Sequence, residues 1–443
     1  MPVKACKFGG SSLADPPKFR KVKAIVEADP QRRYIVPSAP GRRHRQDQKI
    51  TDLLYLCHDH ARKGIAFEEV FKLIADRYNR IAADLVPTLN LQGPLEEVRQ
   101  KIASTATNGD SPDYAASRGE YLNGLILAEL LGMELVDPAS IIHFDSDGQF
   151  DKKKTHQAMK RRLDKTQRAI IPGFYGGMPD GRIKTFSRGG SDITGAVVAC
   201  AVGASVYENW TDVTGLLMAN PNIIPNPRLI QTITYKELRE LAYMGATVLH
   251  DEAIFPVRMK GIPVNIRGTD DPDHPGTMIL KTEKVPATDA AITGIAGKKG
   301  FTFISIEKAL MNTELGYGRR LLETLEVHGV SFEHMPSGID TISVVIENSQ
   351  LEGKLDQVLS DIKMACKPDT IEVSPHMALI ATVGRGMSRR PGTAAKLFGA
   401  LGRAEINIRM IDQGSSELNI IVGVEEKDFE NSVRAIYEEF VEE

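Results

Sequence analysis

Two short glycine-rich stretches carry the residue types that a phosphoryl transfer needs. One is Lys7-Phe8-Gly9-Gly10-Ser11-Ser12; the other runs from Thr185 to Gly195 and contains Ser187-Arg188-Gly189-Gly190-Ser191-Asp192. Paired glycines remove side chains, so backbone N–H groups can approach a ligand closely. Ser191 and Asp192 are suited to cap a helix over the compact apolar run Ala196 to Cys200. That would set a helix N-terminus, with its free N–H groups and positive dipole end, beside the glycines. Arg188 adds a planar fork for a carboxylate or phosphate, and Lys7 a compact charge. One such loop alone reads equally well as a glycine turn with an ordinary N-cap. Two loops, each offering glycine, hydroxyl and one cation, fit a nucleotide-dependent phosphotransferase.

The elements around these loops read as an open α/β sheet over residues 1–290, because short apolar runs alternate with helical periodicity. Val3 to Phe8 forms the first strand and leads into the first glycine loop. A helix follows with Phe19, Val22, Ile25 and Val26 on one face. Tyr34 to Val36 is a strand stopped by Pro37, which cannot donate to a ladder, and it opens into Ser38-Ala39-Pro40-Gly41. Thr51 or Asp52 is placed to cap the next helix. Residues 66–131 read as helical, broken near Pro87 and Gly109, with Glu120 in the last helix. Strands are expected at 133–136, 168–172 and 205–210, a loop at 173–177, a capping box at Thr234 to Glu237, and a last strand at 262–266. Loops at the carboxyl edge of such a sheet are where ligands bind.

Whole-chain properties bound the reading. With 443 residues the chain is too long for one ordinary core, and about three domains is the prior. Hydrophobic residues make up 42% and charged residues 26%, a globular composition. Lys+Arg 55 against Asp+Glu 58 leaves a net charge of −3, which argues against nucleic-acid or membrane partners. The basic runs 42–45 and 152–154 are short and read as solvated. The four cysteines have no metal spacing, and with no signal peptide or spanning segment they point to reduced thiols in a cytoplasmic protein.

Beyond residue 290 the chain repeats itself. Gly316, Arg320-Leu321-Leu322, Leu325 and Val330 recur as Gly392, Lys396-Leu397-Phe398, Leu401 and Ile406, at an offset of 76 residues without gaps. Each copy reads strand, helix, strand, strand, helix, a ferredoxin-like α+β module. The copies are bounded as 291–372 and 373–443, with the strand near 291–300 free to join either. A duplicated module behind a catalytic one suits regulation or dimerisation.

With these motifs in order, the chain resembles the aspartate kinases (aspartokinases): an amino acid kinase-like open sheet sandwiched by helices, followed by two ACT modules. The pieces that carry the resemblance are Lys7 to Ser12, Thr185 to Asp192, Trp210-Thr211-Asp212-Val213, Gly245 to His250 and the paired modules. An end at Glu443 resembles the monofunctional form, without a fused dehydrogenase. The resemblance implies phosphoryl transfer from ATP, carried with Mg2+, to the β-carboxylate of L-aspartate, the first step of lysine, threonine and methionine biosynthesis. It implies that Lys7 acts on the transferring phosphoryl group and is oriented by Asp192. Gly9, Gly10 and Ser11 would cradle phosphates. Ser38, Thr51, Glu120, Arg188 and Ser191 would form the aspartate pocket, with Glu120 on the α-ammonium and Arg188 on a carboxylate. Thr211, Asp212 and Gly215 would hold the nucleotide. A homodimer or larger homo-oligomer through the ACT modules is implied as well.

The chain departs from the family pattern at Thr214, Leu217, Asn220-Pro221-Asn222, Thr247 and Asp251, so the nucleotide contacts do not transfer whole. Arg228 is a candidate to supply the missing cation. An amino-acid effector is expected in the first module, at Met311, Glu314, Gly316, Tyr317, Ser331, Phe332, Glu333 and Asp340. The spare acidic charge there favours lysine over threonine; the second copy has Arg390 and Arg409 at the positions of Glu314 and Glu333. Two other readings compete: a kinase of the same fold acting on another small amino acid, and a catalytically silent amino-acid sensor.

Overall fold

A computed structural model describes residues 2–187, 189–246, 251–285 and 290–442; Arg188 and Thr247 lie outside the described residues. The chain divides into two compact units. The first comprises Met1–Leu216, Gln231–Tyr235 and Val248–Val285, and the second Leu217–Ile230, Lys236–Thr247 and Pro286–Glu443.

The first unit is built on strands β1 (Lys4–Phe8), β2 (Arg32–Pro37), β3 (Glu134–Leu135), β4 (Ala169–Ile170), β7 (Val206–Thr211), β8 (Thr232–Thr234), β9 (Val264–Gly268) and β10 (Thr277–Leu280), with a separate hairpin of β5 (Tyr175–Gly177) and β6 (Ile183–Thr185). The sheet order is β3-β4-β2-β1-β7-β9-β10-β8, parallel throughout except for the antiparallel pair β9–β10. The run 173–177 therefore ends in a paired strand, and β10 lies beyond the strand expected to be last. Central strand β1 is almost wholly buried, as a strand covered on both faces must be. It has β2 on one side and β7 on the other, so the strand order reverses there. The carboxyl ends of these strands are Phe8, Pro37 and Thr211, and the carboxyl edge at such a reversal is where open α/β sheets bind ligands. Successive residues alternate between faces. On one face buried Glu208 accepts from Lys4 Nζ (2.9 Å), Arg32 Nε (2.8 Å) and Trp210 Nε1 (2.9 Å), tying β1, β2 and β7 together.

Helices α1 (Pro16–Glu27), α2 (Ile50–Arg62), α3 (Glu68–Leu85), α4 (Gln92–Thr107) and α5 (Asp113–Leu131) join this sheet in one core, with Phe19, Val22, Leu54, Tyr78, Ile102, Leu122 and Ile126 buried together. Helix α1 buries the face expected of it and is capped by Asp15, whose carboxylate accepts from the Lys18 N–H. Helix α5 is buried on nearly every side. Gly119 makes that possible: a Cβ there would lie 2.7 Å from the Ala39 Cβ, so only glycine lets the helix lie against the β2 loop. Helices α6 (Lys152–Leu163), α7 (Gly190–Val202) and α9 (Asp251–Lys260) complete the unit, and α8 (Tyr235–Tyr243) leads out of it.

The second unit holds one five-stranded antiparallel sheet in the order β12-β11-β13-β15-β14, from β11 (Gly294–Glu307), β12 (Thr341–Glu347), β13 (Thr370–Val383), β14 (Met410–Asp412) and β15 (Asn419–Glu425). Its main helices are α10 (Tyr317–Val327), α12 (Leu355–Cys366), α13 (Thr393–Arg403) and α14 (Phe429–Tyr437), with the short α11 (Asn348–Leu351) between. The repeat is visible in detail. Gly316 and Gly392 cap α10 and α13 with φ of 78° and 89°, a region that favours glycine. Strands β11 and β13 serve both copies. Residues 301–307 pair with 341–347 and residues 303–307 with 370–374, whereas 294–299 pair with 378–383 of the second copy. Ala219, Ile223 and Ile224 share a core with Ile380, Leu397 and Val422, and Glu237 accepts from Thr293 Oγ1 (2.6 Å) and Arg385 Nη1 (3.1 Å). Segments 217–230 and 236–247 thus pack with the C-terminal residues, and a boundary at 290 does not follow the packing.

Candidate active site

Lys7 lies on β1 opposite Asn209 of β7, and α7 covers that face of the sheet. The buried Lys7 ammonium pairs with Asp192 Oδ1 at 2.7 Å. Asp192 sits in the first turn of α7 rather than at its cap. The N-cap is Gly189, left-handed at φ 67°, and neither Ser191 nor Asp192 caps the helix. Starting the helix two residues early frees the Asp192 carboxylate to face the strand and take Lys7. Thr51 and Asp52 are likewise inside the first turn of α2, whose N-cap is Lys49 without a side-chain bond.

Glycines bring the β1 and β2 loops together. The Gly9 N–H donates to the Trp210 carbonyl (2.9 Å), and the Gly41 N–H to the Gly10 carbonyl (2.8 Å). A Cβ on Gly10 would lie 2.7 Å from the Ala39 oxygen, and one on Gly41 only 2.6 Å from the Gly10 carbonyl carbon. Gly9 has the Lys7 ammonium 3.6 Å from where its Cβ would be, beside Thr211 Oγ1 at 3.9 Å. Lys7, Gly9 and Thr211 therefore lie together, with Asp212 accepting from Thr211 Oγ1 (3.0 Å). Ser11 is part of the short 3-10 turn Gly10–Leu13. Gly215 belongs to the stretch after β7, where the Leu216 N–H donates to Thr277 Oγ1 (2.8 Å).

On the other side of the β2 loop, Ser38 donates its N–H to the Phe8 carbonyl (3.0 Å) and receives Asn123 Nδ2 on its own carbonyl (2.7 Å). The Gly173 N–H donates to the Pro37 carbonyl (3.0 Å), and a Cβ on Gly173 would meet Ser191 Oγ at 2.6 Å. Ser38 is thus tied to α5 through Asn123 and Ser191 to the β2 loop through Gly173, while α5 meets Ala39 and Ile50, at the start of α2, beside Gly119. The Glu120 carboxyl is 5% exposed, and its Oε2 has no partner among the described residues. Burial pushes its pKa up to about 8, against the Ala39 N–H and Arg118, which favour the charged form. Arg188 lies outside the described residues. The base of its loop is held from α5: Asp113 accepts from Lys184 Nζ (3.0 Å), Thr185 Oγ1 and Ser111 Oγ (2.7 Å).

Sequence reading missed several supports. The loop at 42–45 is not merely solvated: Arg43 and the buried Arg77 both pair with Asp47, and Arg77 donates to the Gly41 carbonyl (2.6 Å). An isolated arginine in a long helix gives no such signal. Asn209 was missed too, although a polar residue inside a buried strand is itself a signal. Arg228 is placed with the second unit, its side chain exposed and its N–H donating to Tyr437 Oη (2.8 Å).

In the second unit, Met311 and Tyr317 are buried, and Tyr317 Oη has no partner among the described residues. The acidic charge expected to be spare there is largely engaged. Glu314 pairs with Arg320 and with Lys308 (3.5 Å), and Asp340 accepts from the Leu310 N–H (2.9 Å). Glu333 hydrogen-bonds Tyr243, with Ser331 and Phe332 exposed beside it. Gly316 opens α10.

Residues 2–268 match the Amino acid kinase family and residues 380–440 an ACT domain. The chain is 37% identical over 453 residues to aspartokinase 3 of Bacillus subtilis, covering 99% of this chain and 98% of that one. Among solved structures it is similar to the allosteric aspartate kinase of Clostridium acetobutylicum, at 55% identity and a TM-score of 0.94 over 99% of this chain and 100% of that one. Aspartokinase III of E. coli is 25% identical. Its R-state complex with aspartate and ADP gives a TM-score of 0.77 over 100% of both chains, and its T-state complex with lysine and aspartate 0.75 over 99% of both. Among the described residues no helix is long and apolar enough to cross a membrane.

Proposed function

The chain belongs to the aspartokinase family of amino acid kinases, and on that premise we propose that it transfers the γ-phosphoryl group of ATP to the β-carboxylate of L-aspartate, giving 4-phospho-L-aspartate and ADP. The observation that carries this reading is the buried Lys7 ammonium, held by Asp192 at the glycine-lined reversal of the sheet. A carboxylate nucleophile is already ionised at neutral pH and needs no general base. The work left is alignment and charge neutralisation. Lys7 serves the phosphoryl oxygens and Asp192 orients Lys7. Gly9, Gly10 and Ser11 line the phosphate path, and Thr211, Asp212 and Gly215 border the nucleotide. Ser38, Thr51, Ser191 and Arg188 take the acceptor, with Glu120 on its α-ammonium.

Mg2+ would arrive with the nucleotide. When bound, it neutralises charge on the phosphates. The ACT copies supply amino-acid regulation. The first copy is the effector site of this reading, through Glu333, Gly316 and the Tyr317 hydroxyl, which has no partner among the described residues, and lysine, present in the T-state complex of the E. coli enzyme, is the preferred effector. A cytoplasmic homo-oligomer completes the reading. ADP release that depends on L-aspartate and not on L-glutamate tests it. Equal turnover with glutamate would assign another acceptor, and no turnover with either would leave a sensor.

A further inference from the structure

We infer that Asn209 is a positioning residue for the phosphoryl-transfer lysine, the third member of a Lys7–Asp192–Asn209 triad; this rests on the kinase reading above. Asn209 is 3% exposed and stands directly across from Lys7 in the β1–β7 ladder, so both side chains leave the same face of the sheet. Its Nδ2 donates to Asp192 Oδ1 at 2.8 Å, and its Oδ1 accepts from Lys7 Nζ at 3.4 Å. These demands are opposite, one for a donor and one for an acceptor, and an amide meets both in a single orientation.

Asp192 Oδ1 consequently receives two donors, Lys7 and Asn209. When Lys7 gives hydrogen bonds to phosphoryl oxygens, Asp192 keeps the amide donor and is not left as a bare, half-buried carboxylate. Asn209 thereby holds Asp192 in place while Lys7 shifts its bonding to the substrate. The second anchor of that turn is Tyr207 Oη, which donates to the Asp192 carbonyl oxygen (3.2 Å). The polar and charged groups bonded to Asn209 are Lys7 from β1 and Asp192 from α7, and Tyr207 of β7 bonds the backbone of Asp192. The β9 residue registered beside Asn209 is the apolar Ile266.

The test uses the full chain with three substitutions. Asn209→Leu removes both contacts and should lower kcat about 10- to 100-fold, the range for a buried bond to a charged group, with KM for aspartate nearly unchanged. Asn209→Asp keeps the shape. Ionised, the introduced carboxyl repels Asp192 and overbinds Lys7; protonated, it donates as the amide does. Its kcat relative to wild type should therefore rise as pH falls from about 8 to about 6. A residue with a merely structural role would not give that slope. In the nucleotide-free protein, the Lys7 ammonium resonance should shift with either substitution. Wild-type kcat in Asn209→Leu beside an inactive Lys7→Ala would overturn the proposal, as would a flat pH ratio for Asn209→Asp. Should Lys7→Ala stay active, the kinase role of Lys7 falls first. The resonance then decides alone whether Asn209 positions Lys7, and an unmoved signal refutes it.

Discussion

Glu120 predicts a proton-coupled acceptor site. Its buried carboxyl is raised from 4.5 to about 8, so roughly nine molecules in ten hold it neutral at pH 7 before substrate arrives. An α-ammonium binds the ionised form, and the apparent affinity falls by the fraction that is competent. Aspartate should therefore bind about fifty-fold more tightly at pH 8 than at pH 6, levelling above pH 8, with nearly one proton released per site at pH 7. The same shift carries a stability term. The folded pKa lies above the unfolded one, so stability is full below about pH 4.5 and is lost as pH rises towards 8, by about 5 kcal/mol at most. Glu120→Gln should remove both effects, leaving weak, pH-independent aspartate binding and a fold more stable than wild type at pH 8. Calorimetric titration in two buffers of different ionisation heat measures the proton directly. A wild-type affinity flat from pH 6 to 8, with no buffer-dependent heat, would refute the reasoning.

Further perturbations separate the two substrates and the effector. Arg188→Ala should raise KM for aspartate at least tenfold and leave ATP nearly untouched, because a forked contact to a carboxylate is lost; equal losses would move Arg188 to the phosphates. Gly41→Ala drives a Cβ into the Gly10 backbone, so it should raise KM for ATP and lower Tm, and unchanged values would show the two loops to be independent. Arg228→Ala should raise KM for ATP selectively if this residue replaces the cation absent at Asn222, and an unchanged ATP dependence would return it to the surface. Lysine should inhibit the wild type, and Glu333→Ala should weaken that inhibition about tenfold. Insensitivity of the wild type would exclude lysine as the effector.

Periodic features were the readable ones. Buried faces such as Phe19, Val22, Ile25 and Val26 follow from helical spacing, and the repeat locates α10 and α13 at the same offset that the glycines Gly316 and Gly392 show. The Lys7–Asp192 pair was legible only through family resemblance, since nothing in the spacing of residues 7 and 192 foretells a 2.7 Å contact. Helix starts were misread at Ser191 and Thr51, because a left-handed glycine or a plain lysine can cap where serine, threonine and aspartate are the usual choices. The roles of Arg77 and Glu237 stayed hidden because their partners are backbone groups or residues far along the chain. Burial with long-range pairing leaves no local pattern.

The two long strands of the regulatory sheet have a consequence for how it is made. Residues 294–299 emerge ahead of the first copy, and their partners at 378–383 follow only after the whole of that copy has been translated. The second copy therefore keeps an unpaired edge until a segment laid down about eighty residues earlier closes onto it. Such closure is slow relative to local helix formation, because loop entropy must be overcome before the pairing rewards it. Gly300 and His376, both at positive φ, lie where the strands cross from one copy to the other, so the crossing points are built into the backbone. Neither copy is a detachable cassette. A fragment beginning at residue 376 would expose the unpaired edge of 378–383 and be prone to self-association, whereas one beginning near 290 carries the strand that covers it.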